Sequence, residues 1–198
     1  MEFQWYEVID SSQATDISQG DIISCLVPVT HSSDEFPFFE VSYGNINGIV
    51  MTQACDLENG KVEEITLCPL VPLEDILKDY ILEQYKNTEG FNYESLTKKQ
   101  QNNKYKYAEK IRQGNILDYY LLNRALIDNN PELNMDFQVV LLRKTFRIPI
   151  TSLKNQINQN PSSRLRLLPP YREHLSYAYS FNFSRIGLPI DINIPEDI

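Results

Sequence analysis

The chain has 198 residues, 42% of them hydrophobic, and a net charge of −9. That length suits one domain with its own core, and the composition excludes a disulfide scaffold. No run of about 18 apolar residues is present to span a bilayer, and the start, MEFQWYEVIDSS, lacks the basic-then-apolar pattern of a secretory signal, so a soluble cytoplasmic protein with no membrane partner is expected.

Strand signals dominate the first third. GDIISCLVPV follows a Gly-Asp turn and places Ile22, Cys25, Val27 and Val29 in a β-rich setting, and FPFFEVSYG and INGIVMTQA continue with aromatic and β-branched residues. Asn59-Gly60 in DLENGK is a two-residue hairpin signal and predicts a tight turn between GIVMTQ and VEEITLCPLVPL. From Pro72 the period changes. Leu73, Ile76, Leu77, Tyr80, Ile81 and Tyr85 recur at helical spacing, with Pro72 suited to a first turn and Glu74 and Asp75 at the positive end of the helix dipole.

A second helix is expected over SLTKKQQNNKYKYAEKIRQG, stopping at Gly114. NILDYYLLNRALI and MDFQVVLLRKTFRIPI then return to strand texture on either side of the breaker DNNPEL. At the C-terminal end, Pro169 and Pro170 open a helix, Glu173 lies in its first turn, and Arg185, Gly187 and Pro189 mark its stop. Leu175, Ala178, Tyr179 and Phe183 are expected to face the core.

Charge is unevenly spread. Residues 1–75 hold fourteen acids against the single base Lys61, whereas Lys98, Lys99, Lys104, Lys106, Lys110 and Arg112 share one helix with only Glu109. An acidic half repels polyphosphate, but the basic helix could attract it, with Tyr105 and Tyr107 of KYKY able to stack on bases. Ordinary solvated faces, with the tyrosines anchored in the core, are the plainer account.

Several polar residues could form a site. Cys55 and His174 offer a thiol and a base, with Asp56 or Glu173 to orient the imidazole. The plainer reading makes Cys55 a small buried filler at a strand end and His174 a packing or capping residue. Asp56 could accept loop amides in an Asx turn, with Thr52 and Gln53 shaping the same corner. Tyr171, Arg172 and Glu173 open the C-terminal helix. Arginine is unfavourable in a first turn, so Arg172 needs a partner: Asp56, Asp136 or a bound phosphate. Cys25, Cys55, Cys68, His31 and His174 match no recognised zinc spacing, and the three cysteines are odd in number and form no CxxC pair, so neither metal, disulfide nor cofactor is expected.

Gly20–Val29, Ile49–Thr52 and Leu67–Pro69 resemble, in order and pattern, the opening strands of MazF/PemK-like toxins. The resemblance implies an SH3-like barrel. That family's catalytic arginine and threonine fall where this chain has Asn47-Gly48 and Leu70-Val71, so its RNA-cleaving residues do not carry over. The whole chain is also similar to a group of bacterial proteins that share TQxCDL (Thr52–Leu57), PYREHL (Pro170–Leu175) and RxGLP (Arg185–Pro189), a likeness that implies a common fold without an activity.

The expectation is therefore an α+β fold in one domain, residues 1–198. A small SH3-like β-barrel uses strands from 1–71 and 115–150, with a helical insertion over 72–113 and a C-terminal helix over 169–187. The expected role is a non-catalytic binding module, an accessory of a bacterial toxin-antitoxin or phage-defence system. Thr52, Gln53, Asp56, Tyr171, Arg172 and Glu173 form its contact surface and another protein is its partner, with nucleic acid or a homodimer as alternatives. An enzyme, either a remodelled endoribonuclease or a Cys55/His174 hydrolase, is the competing reading.

Overall fold

A computed structural model describes residues 4–183 and shows a mixed α+β architecture around antiparallel sheets. The strands are β1 (Tyr6–Ile9), β2 (Ile22–Ser32), β3 (Phe39–Val50), β4 (Glu64–Pro72), β5 (Tyr119–Leu122), β6 (Gln138–Leu141), β7 (Phe146–Pro149) and β8 (Arg164–Leu167). The helices are α1 (Ala54–Glu58), α2 (Leu73–Tyr85), α3 (Lys98–Arg112), α4 (Ile150–Gln159) and α5 (Tyr171–Phe183). Among the described residues, no helix is long and apolar enough to cross a membrane.

The main sheet runs β2-β3-β4-β6-β5, and β7 also pairs with β4. On one edge of β4, β7 pairs with residues 64–67 and β6 with residues 70–72. Between Val140↔Leu70 and Phe146↔Leu67 the β6–β7 side is the longer, so that edge bulges and β4 passes from one set of neighbours to another. Among the described residues the sheet is open and does not close into a barrel.

Alternation along the central strands buries both faces of the sheet. Ile49, Cys68 and Leu70 meet Leu175 of α5 and Leu165 and Leu167 of β8 in one cluster. Val50, Ile65 and Leu67 meet Leu153 of α4 in a second. Val139 packs with Leu77 and Ile111 in a third, beneath α2 and α3. Those two helices also stack Tyr80 on Tyr107, centroids 3.7 Å apart.

Helices α2 and α3 lie between β4 and β5, in the span read from sequence as helical. Thr97 and Gln100 form a capping box at the start of α3. At its end Asn115 N–H donates to Lys110 O and Gly114 N–H to Ile111 O, with Gly114 at φ +70°: a Schellman stop where the sequence placed one.

Asn59-Gly60 behaves differently from expectation. The strands before and after it do pair antiparallel, as Gly48↔Pro69 to Val50↔Leu67, but no two-residue turn joins them. A type I′ turn needs positive φ at both positions, and Asn59 has φ −91°. Gly60 instead ends the short helix α1, with Lys61 N–H on Asp56 O and Gly60 N–H on Leu57 O. The glycine needed its positive φ for a helix stop.

Besides α1, three elements had no counterpart in the sequence reading: β1, β8 and α4. Strands β1 and β8 pair with each other, and β8 reaches the main sheet through an Asp21↔Arg166 bridge. At that junction Gly20 lies at φ +87°, and a Cβ there would stand 3.0 Å from Leu167 O. The Gly-Asp signal therefore marks the point where two sheets touch.

Asp21, fully buried, accepts from Arg164 Nε at 2.8 Å, from Arg166 Nη2 at 3.2 Å and from the Ser18 amide at 3.0 Å. Arg164 Nη1 also donates to Ala14 O at 2.9 Å and Arg166 Nη2 to Asp16 O at 2.8 Å. RLRL alternates strictly, so both arginines turn to this carboxylate while Leu165 and Leu167 enter the core.

Candidate functional site

The corner Thr52–Asp56 lies where β3 ends and α1 begins. Thr52 Oγ1 accepts from the Thr66 amide at 2.7 Å and so ties the corner to β4. Gln53 is the N-cap of α1, but its side chain caps no amide. Cys55 is exposed rather than a buried filler, because the chain turns into a solvent-facing helix before reaching it. Its Sγ lies 3.7 Å from Gln53 Oε1 and 3.8 Å from Asp56 Oδ1. No amide bonds the Asp56 side chain among the described hydrogen bonds, and the buried structural carboxylate of this region is Asp21.

Among the described residues no hydrogen bond links Cys55 to His174. The corner reaches α5 by another route: Gln19 Nε2 donates to Met51 O at 3.4 Å and to Ser176 Oγ at 2.8 Å. Arg172 has found its partner next door, Glu173, at 2.8 Å, and binds neither Asp56 nor Asp136. Burial alone would raise the Glu173 carboxyl, but hydrogen bonds, chiefly from Arg172, outweigh it and hold the group below its usual range.

Helix α5 presents two faces. Leu175 is buried in the core, as expected, but Phe183 is half exposed and Asn182 is buried in its place. Asn182 donates to Leu117 O at 2.7 Å and accepts from Arg143 Nε at 3.1 Å, which docks the end of the helix beside β5. The expected stop at Arg185, Gly187 and Pro189 lies outside the described residues.

The other face, Tyr171, His174, Tyr177 and Phe181, overhangs a cleft of about 800 Å³ between α5, the end of α3 and β5. Trp5 forms one wall, its ring stacked on Tyr171 with centroids 3.7 Å apart and nearly parallel. The Leu168 amide donates to Trp5 O at 2.8 Å, so the β1–β8 ladder sets the position of this wall. Tyr120 donates from its phenol to Tyr171 O at 3.3 Å, and burial raises its pKa to about 12, which keeps it protonated. Arg112 and His174 supply the basic groups of the lining. The cleft has the mixture of aromatic walls and sparse polar groups typical of a recognition site.

A second surface is the β2–β3 arm. The two strands pair over eleven positions, from Ile22↔Ile49 to Ser32↔Phe39, but β4 supports β3 only at Gly48–Val50. As far as Val29 and Ile46 the pair packs on the second core cluster, and beyond them it projects as a two-stranded ribbon. Gln156 of α4 guards its outer edge, donating to Leu26 O at 3.1 Å and accepting from the Leu26 amide at 2.8 Å. Beyond it Phe36 is 87% exposed, Phe38 63%, Phe39 50% and Tyr43 79%. Phe38 sits at φ 67°, an uncommon conformation for a bulky residue, fixed by its amide on Glu35 O and its carbonyl on the Ser33 amide.

On α3, Lys104 is taken up by Glu74 and Tyr93, and Arg112 pairs with Glu109 at 2.8 Å. Lys98, Lys99, Lys106 and Lys110 are exposed on the same helix. The two tyrosines divide: Tyr107 stacks inside against Tyr80, while Tyr105 is 65% exposed. His31 lies out on the arm, bonded to Ser42 Oγ at 2.8 Å. Cys25 and Cys68 are buried in different clusters. The candidate metal ligands therefore do not converge.

The reading from sequence missed Trp5, Tyr177 and Phe181, and took the aromatic run FPFFEVSYG as ordinary strand. The stripe Tyr171, His174, Tyr177, Phe181 was visible at helical spacing, whereas nothing local to Trp5 announces that it meets Tyr171. No family model, no curated protein and no solved structure matches the chain.

Proposed function

We propose that the protein is a non-catalytic binding module whose contact surfaces are the β2–β3 arm and the cleft beneath α5, with another protein chain as its partner. The observation that carries this reading is the arm: four large aromatic side chains are held at half exposure or more on a ribbon with little of the sheet behind it. Monomeric proteins rarely leave so much contiguous apolar surface in water, and aromatic anchors dominate interface energies.

The MazF/PemK-like reading belongs with this proposal. Gly20-Asp21 lead into β2, β3 ends within Ile49–Thr52, and β4 carries Leu67–Pro69 at its centre, the order expected of an SH3-like framework. Asn47-Gly48 and Leu70-Val71, where that family has its catalytic residues, serve here as pairing positions of β3 and β4. A setting in bacterial toxin-antitoxin or phage-defence systems, in the cytoplasm, follows from the same resemblance. Of the earlier contact list, Tyr171 lines the cleft, Arg172 and Glu173 stand beside it, and Thr52, Gln53 and Asp56 form a separate corner.

The test is native mass spectrometry of the chain purified from its own host, beside Phe36→Ser/Phe38→Ser. The wild type should carry a bound protein chain and the variant should lose it while keeping its circular dichroism. A bare wild type, or a complex undiminished in the variant, would count against the reading.

A further inference from the structure

The arm and the cleft are complementary to each other. From Ile22 to Val50 the chain has no lysine or arginine, and Asp34, Glu35 and Glu40 flank the aromatic tip. The cleft, by contrast, is walled by Trp5, Tyr171, Tyr177 and Phe181 and carries Arg112 where α3 ends and His174 on α5, and Lys106 and Lys110 stand exposed on the same helix as Arg112. An acidic, aromatic projection thus exists in the same molecule as an aromatic cleft with a basic border. Resting on the binding-module reading, we propose that the partner is a second copy of this chain, and that each copy seats its β2–β3 arm in the other's cleft to form a two-fold dimer.

The areas are adequate. Fully exposed aromatic side chains offer about 150–250 Å² each. At the exposures of Phe36, Phe38, Phe39 and Tyr43, one arm offers roughly 550 Å². Two arms and the two cleft surfaces they cover then bury about 2,000 Å² in total, the size of a stable dimer interface. Reciprocity also sets the arm carboxylates Asp34, Glu35 and Glu40 of one copy against the Arg112 end of α3 in the other. The two-fold arrangement uses each arm and each cleft once, so the assembly closes at two chains.

Charge reversal with mixing tests the idea on the full chain. Wild type at tens of micromolar should run as a dimer by light scattering. Asp34→Lys/Glu35→Lys in the arm, and Arg112→Glu/His174→Glu in the cleft lining, should each be monomeric because arm and cleft then carry like charges. An equimolar mixture of the two variants should recover a heterodimer, since the reversed arm meets the reversed cleft and the native arm meets the native cleft. Circular dichroism of each variant checks that it is folded, and Phe36→Ser/Phe38→Ser supplies a neutral route to the same monomer. A monomeric wild type, dimers unaffected by the reversals, or variants that fail to rescue each other overturn the proposal. A monomeric wild type that still binds a host protein through the arm would remove the self-docking and leave the binding-module reading standing.

Discussion

Removing the carboxylate of Asp21 should be among the most damaging single changes the fold can suffer. Its side chain has no exposure, and that of Arg164, 2.8 Å away, is 6% exposed. Asp21→Ala would leave the Arg164 guanidinium buried without a counter-charge, a situation that costs about 3–5 kcal/mol. Arg166 is 14% exposed and has Glu7 at 3.8 Å as a second carboxylate, so its share of the loss is smaller. With a urea m-value of about 2 kcal/mol/M, a loss of about 4 kcal/mol lowers the unfolding midpoint by about 2 M. Arg164→Met should cost about 2 kcal/mol in the wild type, where Asp21 keeps Arg166, and little more in the Asp21→Ala background, which gives a coupling energy of about 2 kcal/mol between the two sites. Asp56→Ala, at an exposed corner, is the control and should move stability by no more than about 0.5 kcal/mol. An Asp21→Ala midpoint within 0.5 M of wild type, taking about 1 kcal/mol as the threshold, would refute the assignment of Asp21 as the buried anchor of the β2–β8 junction.

Gly20→Ala should destabilise by about 2 kcal/mol or more, through left-handed backbone strain and a Cβ 3.0 Å from Leu167 O, read as a fall in melting temperature. Cys55 should react alone with a mild alkylating agent in the native state, because Cys25 and Cys68 are buried and their thiols are pushed up to about 11 and about 12; mass spectrometry should count one adduct before denaturation and three after. Burial opposes ionisation of Glu74, but hydrogen bonds from Lys104 and Tyr93 outweigh it and lower its pKa from 4.5. Its contribution is therefore present above pH 4.5 and lost as pH falls through the lowered value. Glu74→Gln should cost less than about 1 kcal/mol at pH 7, given the exposure of the pair, and the difference from wild type should shrink in acid.

What was legible in the sequence was what local period and punctuation encode. The α2 stripe from Leu73 to Ile81, the Gly114 stop and the return to strands after it all rest on interactions a few residues apart. Asn59-Gly60 misled because a positive-φ glycine serves a helix stop as well as a hairpin, and only the neighbouring backbone decides. Strands β1 and β8 are four residues each and find one another across most of the chain, from Tyr6 to Leu167. RLRL did carry the alternation of a strand, but its reason, a carboxylate at position 21, is a tertiary fact.

The candidate site followed the same division. Tyr171 and His174 were found because a helix start draws attention to its first turn. The corner residues looked equally special, yet Thr52 ties strands together and Cys55 faces water without a base bonded to it. Trp5 was invisible as a site residue because its role comes from stacking on a ring in another element. The arm aromatics read as ordinary strand, since exposure depends on which neighbour strand is missing, and β4 stops supporting β3 at Gly48.

The most direct measurement uses Trp5, the chain's one tryptophan, as a reporter in the cleft wall. Its quenching by acrylamide can be followed while the protein is titrated from nanomolar to tens of micromolar, and again in the complex purified from its host. If the cleft is where a partner seats, quenching should fall as the complex forms, because the interface core excludes water and solute, and Phe36→Ser/Phe38→Ser should abolish the change. Quenching that stays constant across both conditions would contradict the account.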